Sequence, residues 1–334
     1  MIIKTVYQEK APAKINLYLD VLDRKFYPRE DGFHNIKTLF QAIDLADQLN
    51  VEIESLVVKS EKISYEIIIK SNVPEIDTLG ENNIVHKSLM LYFSALDSRI
   101  LEQIQRIKIN IYIDKKIPIS AGLAGGSADA AAILRVINRY FYENFNGALS
   151  SNTLIQLATK IGADVPFCLN SLLQPRAYAE GIGEDFKDKK SNINYNAISN
   201  LIMVKPDFGI ATSEAYRAVD KFVEKKRLKK ITGLVFNRER SLTPVQRSDV
   251  IEDLYNSFEE AIADDYPLLT QIKGTLYSKF GANKVLLAGS GSTMLAFYPK
   301  DIGNLNQIFA KVKETYESKN YSVFKSKFLD PMLN

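Results

Sequence analysis

Three groups of residues in this chain could do chemistry. The first is Pro118-Ile119-Ser120-Ala121-Gly122-Leu123-Ala124-Gly125-Gly126-Ser127-Ala128. Gly122, Gly125 and Gly126 remove side chains where an anion must approach the main chain closely. The second is Lys14 with Asn16, two positions apart, which on a strand share one face. The third is Asp164 in Gly162-Ala-Asp-Val-Pro-Phe167, a proline-restrained turn directly after a helix end. The bare backbone N–H groups suit the binding of a polyphosphate, and Lys14 with Asn16 makes a cationic, hydrogen-bonding strip.

Elements around these residues must position them. Ile107, Ile109, Ile111 and Ile113 alternate with polar residues and predict a strand before the loop. Ala130, Ile133, Leu134, Ile137 and Phe141 recur at helical spacing after it, so a helix over 128–142 points its N-terminus at the loop. Further strands are expected at 2–9, 14–22, 50–58 and 63–70, and a helix near 83–95. A helix over 151–161 stops at Gly162. The tract 184–200, rich in Lys, Asn and Ser, predicts a surface loop. Beyond it come a strand at 201–205, helices near 213–225, 249–263, 266–280 and 302–318, and strands at 285–288, 294–298 and 321–329. Strands followed by helices in two successive blocks predict an α+β protein of two domains, 1–172 and 173–334.

Composition narrows the function. Forty-three basic against 40 acidic side chains leave a net charge of +3, too balanced to demand a nucleic acid. The run Lys225-Lys-Arg-Leu-Lys-Lys230 then predicts a solvated face. A single cysteine, Cys168, excludes an internal disulfide and suits a reducing compartment. His34 and His86 are the only histidines and give no zinc pattern. No apolar run reaches the ~20 residues of a membrane helix, and the N-terminal residues lack a secretory core. A cytoplasmic protein is expected, with neither membrane nor nucleic-acid partner.

The loop is not a common phosphate binder. No Gly-Lys-Ser/Thr occurs, the glycine order is not that of a dinucleotide fingerprint, and kinase triplets of the His-Arg-Asp kind are missing. Neither Ser127 nor Ser290 stands in a Gly-x-Ser-x-Gly elbow. By spacing alone Asp164 reads as a turn aspartate as readily as an acid, and Ser127 as a helix cap, a phosphate contact or a Mg²⁺ contact. Gly289 and Gly291, in Ala288-Gly-Ser-Gly-Ser-Thr293, permit either a tight hairpin or a ligand.

Pro12-Ala-Lys-Ile-Asn-Leu-Tyr-Leu19, the loop 118–128 and the segment 286–293, in this order across nearly the whole chain, resemble the three motifs of the GHMP kinases. Those small-molecule kinases use a Gly-rich loop of this kind. The resemblance implies a two-domain fold, with an N-terminal domain like the second domain of ribosomal protein S5 and a ferredoxin-like C-terminal domain. It implies ATP with Mg²⁺, although the sequence names no metal ligand. Lys14 and Asp164 would be the catalytic pair, Pro118 to Ala128 would wrap the ATP phosphates, and Asn83 would lie near the nucleotide base.

Within that family Asp31-Gly-Phe-His34 points to a substrate carrying cytosine. Phe33 and Tyr216 would sandwich the base, and His34 would read its edge. Asn16 and Thr212 would hold a methylerythritol end whose 2-hydroxyl is phosphorylated. The product would feed isoprenoid synthesis, and the protein would be a monomer or weak homodimer. Residues 23–30 run longer than the pattern, 184–200 and 221–250 look expanded, and Ser213 stands where proline is common. The alternatives are a mevalonate- or homoserine-type kinase, for which Asp31–His34 has no use, and a ligand sensor without catalysis, for which Lys14 and Asp164 have none.

Overall fold

This computed structural model describes residues 1–60, 62–77, 80–231, 250, 251 and 254–330. The first half contains β1 (Ile2–Val21), β2 (Ile36–Val57), β3 (Ser64–Ser71), α1 (Pro74–Asp77), α2 (Ile84–Ala95), α3 (Ser98–Leu101) and β4 (Ile104–Asp114). Then come α4 (Gly125–Phe145), α5 (Ser151–Ile161), α6 (Val165–Asn170), β5 (Arg176–Glu180), β6 (Asp185–Lys187) and β7 (Lys190–Ser191). The rest comprises β8 (Asn200–Lys205), α7 (Thr212–Ile231), β9 (Val250–Ile251), β10 (Tyr255–Asn256), α8 (Ser257–Ile262), α9 (Pro267–Ser278), β11 (Lys284–Leu287), β12 (Met294–Tyr298), α10 (Leu305–Glu317) and β13 (Ser322–Lys327).

The first sheet runs β10-β1-β2-β4-β3, with β5 also on β2 and β6 on β5. Its buried face takes the alternating isoleucines of β4 together with Ala130, Ile133, Leu134, Ile137 and Phe141 of α4. The 3.6-residue period of α4 and the two-residue period of β4 therefore meet in one core. The second sheet runs β11-β12-β8-β13, all antiparallel. In chain order this is a split β-α-β-β-α-β arrangement, the ferredoxin-like topology expected. A second core covers it, and Leu19, Val21 and Ile36 of the first sheet belong to that core too.

Several expectations change. The strands expected at 2–9 and 14–22 are one strand of 20 residues. Its pairing with β2 slips between Pro12 and Lys14 and again between Asn16 and Tyr18. Such bulges re-aim side chains, and these two bracket Lys14 and Asn16. The tract 184–200 is not simply loop: β6 pairs with β5, β7 with β9, and Tyr195–Ala197 forms a 3₁₀ turn. Among the described residues the helix expected near 249–263 starts later. β9 and β10 come first, and α8 starts only at Ser257 because Asn256 caps it, its Oδ1 accepting from Phe258 N at 3.0 Å. The expected division near residue 172 falls between α6 and β5, while β5, β6 and β10 beyond it pair into the first sheet. Part of the tract 221–250, and the side chains of 227–230 in the basic run, lie outside the described residues.

Candidate active site

The loop before α4 is built from strained backbone. Ser120, Gly122 and Ala124 all have positive φ, at 53°, 75° and 57°. Ala124 is the left-handed N-cap of α4 and supplies no side-chain cap. The helix thus begins with N–H groups that no capping side chain satisfies, at the positive end of its dipole. Ser127, in that first turn, is not the cap. The backbone of Lys14 donates to Leu123 O at 3.2 Å, which fastens the loop to β1 beside the amine.

Lys14 is buried, and its Nζ lies 3.2 Å from Asp164 Oδ1 and 3.0 Å from Asn16 Oδ1. Asn16 Nδ2 donates to Thr38 Oγ1 at 2.7 Å, and Thr38 Oγ1 donates to Tyr18 O at 2.8 Å. The amine also stands 5.0 Å above the Phe40 ring, which stacks on Phe167. Lys14 is therefore held by two polar groups and an aromatic floor, with Thr38 fixing Asn16 in turn. Asp164 is the N-cap residue of α6 but makes no capping bond. Its side chain is 32% exposed, so it reaches both the lysine and the cleft.

That cleft has a volume of about 1330 Å³, more than the ~300–1,000 Å³ usual for one small ligand. Lys14, Asn16, Phe33, His34, Asn83, Pro118 through Gly126, Asp164, Thr212 and Tyr216 all line it. Ser127 and Ala128 do not. Gly289, Ser290 and Gly291 complete the wall, and Thr212 Oγ1 lies 3.3 Å from Ser290 Oγ. Asn83 has a structural task as well: its Oδ1 accepts from Val85 N at 2.9 Å and caps α2.

The far end differs from the expected base sandwich. Tyr216 stacks on the His34 ring, with centroids 4.8 Å apart and planes at 22°, and Phe258 meets Tyr216 edge-on. His34 Nε2 is 2.8 Å from Asp220 Oδ1, and Arg24 Nε is 3.1 Å from that nitrogen. The imidazole edge expected to face a ligand is thus engaged within the protein, while Phe33 is 60% exposed. Burial pushes the Tyr216 hydroxyl up to about 12.

Sequence reasoning missed Arg24, Thr38, Phe40 and Asp220. Asp220 carried one signal, its place one helical turn after Tyr216. Thr38 and Phe40 carried none, because β2 reaches the site only through sheet register.

Comparisons with known proteins agree with this geometry. Residues 85–171, which include the loop and Asp164, match the family "GHMP kinases N terminal domain". The chain is 33% identical to a 4-diphosphocytidyl-2-C-methyl-D-erythritol kinase of Clostridium botulinum (strain Eklund 17B / Type B), over 92% of this chain and 96% of that protein. It is 35% identical to the enzyme of that name from Thermoanaerobacter pseudethanolicus, over 96% of each. A crystal structure of 4-(cytidine 5'-diphospho)-2C-methyl-D-erythritol kinase superposes with a TM-score of 0.64 at 25% identity, covering 96% of this chain and 99% of that one. A homoserine kinase from Cytophaga hutchinsonii shares the fold, with a TM-score of 0.61 at 18% identity. Identity of 33–35% over 92–96% of the chain settles its kinship: the chain belongs to the 4-diphosphocytidyl-2-C-methyl-D-erythritol kinase family of GHMP kinases.

Proposed function

We propose that this kinase transfers the γ-phosphoryl group of ATP to the 2-hydroxyl of 4-diphosphocytidyl-2-C-methyl-D-erythritol. The observation that carries this reading is the Lys14–Asp164 contact of 3.2 Å in a cleft shared with the loop at Gly122–Gly126. The relatives' printed names supply the acceptor.

Phosphoryl transfer asks mainly for alignment and for stabilisation of charge on the moving group. The loop N–H groups and the start of α4 receive the phosphates. Lys14 offsets the charge that develops as the terminal group moves, and Asp164 orients the acceptor hydroxyl and accepts its proton. Asn16 retains one amide N–H beyond its bonds to Lys14 and Thr38 and offers it to the methylerythritol end, with Thr212 opposite. The pyrimidine lies against the exposed Phe33 ring, and the His34–Tyr216 stack forms the other wall.

Among the described residues no three His, Cys, Asp or Glu side chains are grouped to hold a metal. That fits Mg²⁺, which is usually carried by substrate phosphates and water with one or two protein oxygens. Asp164, whose side chain is 32% exposed and lines the cleft, would offer it an oxygen. Bound there, the ion would neutralise phosphate charge.

Purified protein with ATP and Mg²⁺ is offered the cytidine diphosphate ester, mevalonate and homoserine in separate reactions. ADP release with the first alone supports the reading. Turnover of mevalonate or homoserine instead overturns the acceptor, and nucleotide binding without any turnover favours a sensor.

A further inference from the structure

A buried ion triad stands beside the phosphate loop, with Lys115 and Asp129 on the wall of the same cleft, and neither the reaction above nor the motifs use it. Lys115 Nζ lies 2.5 Å from Asp47 Oδ2 and 2.7 Å from Asp129 Oδ2, and none of the three side chains is more than 4% exposed. Asp47 turns its other oxygen to the backbone N–H groups of Lys116 and Ile117, at 2.6 and 2.8 Å. Lys115 directly follows β4, and Asp129 sits in the second turn of α4. One ammonium thus joins the strand before the loop to the helix after it. It is also close to the loop itself, because a Cβ placed on Gly125 would stand 3.2 Å from Nζ.

Stability is a poor reason for this arrangement. Burying ions costs several kcal/mol apiece, and apolar replacements of such groups are often as stable. Among the described residues Asp129 Oδ1 has no hydrogen-bond partner, and burial raises its carboxyl above the usual range despite the neighbouring ammonium. An unsatisfied buried oxygen is a penalty that a simple crosslink would avoid. Fixing geometry is the better-attested use of buried ions.

We propose that Lys115 is a positioning residue for the phosphate loop: with Asp47 and Asp129 it fixes the end of β4 against the second turn of α4. The loop N–H groups then stand preformed around a nucleoside triphosphate tail. The inference rests on the kinase reading above for its ligand.

Lys115→Met alone would leave two buried carboxylates unpaired. The test therefore uses the charge-free triple variant Asp47→Asn, Lys115→Met, Asp129→Leu, together with Lys115→Arg. Lys115→Arg keeps the charge but lengthens the link. Each variant is checked for cooperative thermal unfolding. Isothermal titration with a non-hydrolysable ATP analogue and KM for both substrates are then measured. Both variants should bind the analogue more weakly, on the order of 10- to 100-fold for the triple. KM for ATP should rise in parallel while KM for the phosphoryl acceptor stays within about twofold, a split that general loosening of the fold would not give. A folded triple variant with parental analogue affinity overturns the proposal. If the triple does not fold, parental analogue affinity in Lys115→Arg overturns it. Parental protein that binds the analogue but phosphorylates no acceptor would sink the kinase reading while leaving this test intact.

Discussion

Gly122 and Ala288 meet backbone to backbone: a Cβ on Gly122 would lie 2.0 Å from the Ala288 carbonyl oxygen. The loop before α4 and the turn between β11 and β12 are thus in direct contact, and Gly289 faces Gly122 O in the same way at 2.9 Å. Gly122→Ala should therefore cost roughly 2–4 kcal/mol, from the left-handed backbone and the forced separation together. Thermal unfolding should show the loss. ATP affinity should fall with it, since the cleft wall moves. A variant with parental Tm and parental KM for ATP would mean that the two segments are not held together.

Ala124 is the opposite case. It pays for a left-handed backbone at φ 57° without needing its methyl as a cap. Ala124→Gly should raise stability by up to about 1 kcal/mol, read as a higher Tm, with activity kept. A lower Tm would show that the methyl packs more than the backbone strains.

Asp164→Asn keeps the shape beside Lys14 and removes the proton acceptor. Turnover should fall about 10²- to 10⁴-fold, while the affinity for an ATP analogue changes little. Parental kcat in this variant would remove Asp164 from the chemistry.

Asp220 holds His34 at 2.8 Å, and His34 stacks on Tyr216. Asp220→Ala should loosen that wall and cost about 1–2 kcal/mol of binding at the pyrimidine end. The measurement is KM for the cytidine substrate against KM for ATP, with roughly a tenfold rise expected in the first only. Equal rises in both would argue that the wall serves the fold rather than the substrate.

Asp20 supplies a pH prediction. Burial raises its carboxyl from 3.8 to about 6, so between those values the folded protein binds a proton that the unfolded chain gives up. Its effect on stability is thus a decline as pH rises from about 4 to 6, worth on the order of 3 kcal/mol. Asp20→Asn should remove this part of the slope, leaving the variant more stable than the parent at pH 7 and level with it near pH 3.5. Denaturant titrations across pH test this, and an unchanged slope would refute it.

Much of the site could be read from the chain because its parts are local. Glycines at 122, 125 and 126, isoleucines at alternate positions before them and helical spacing after them are all nearest-neighbour patterns. Lys14 and Asn16 share a face for the same reason. What could not be read depends on register. Thr38 and Phe40 support Lys14 only because β2 pairs with β1 across two bulges. Asp47 reaches Lys115 only because β2 lies beside β4. Residues 255–256 form a strand only because β1 offers them an edge. The helix expected over 249–263 ignored a local cue too, since Asn256 followed by Ser-Phe-Glu259 is a capping pattern that dates the true start.

The pairing of β10 with β1 has a consequence for biosynthesis. Tyr18 is partnered by Tyr255 and Leu19 by Asn256, so the strand carrying Lys14 keeps an open edge until the ribosome has released most of the polypeptide. Contacts so distant along the chain slow folding, and an unpaired edge invites association with other chains. A nascent fragment ending before β5 lacks β10 beside β1 and β5 beside β2, although these two strands pair with each other, so both edges stay exposed until the later segments emerge.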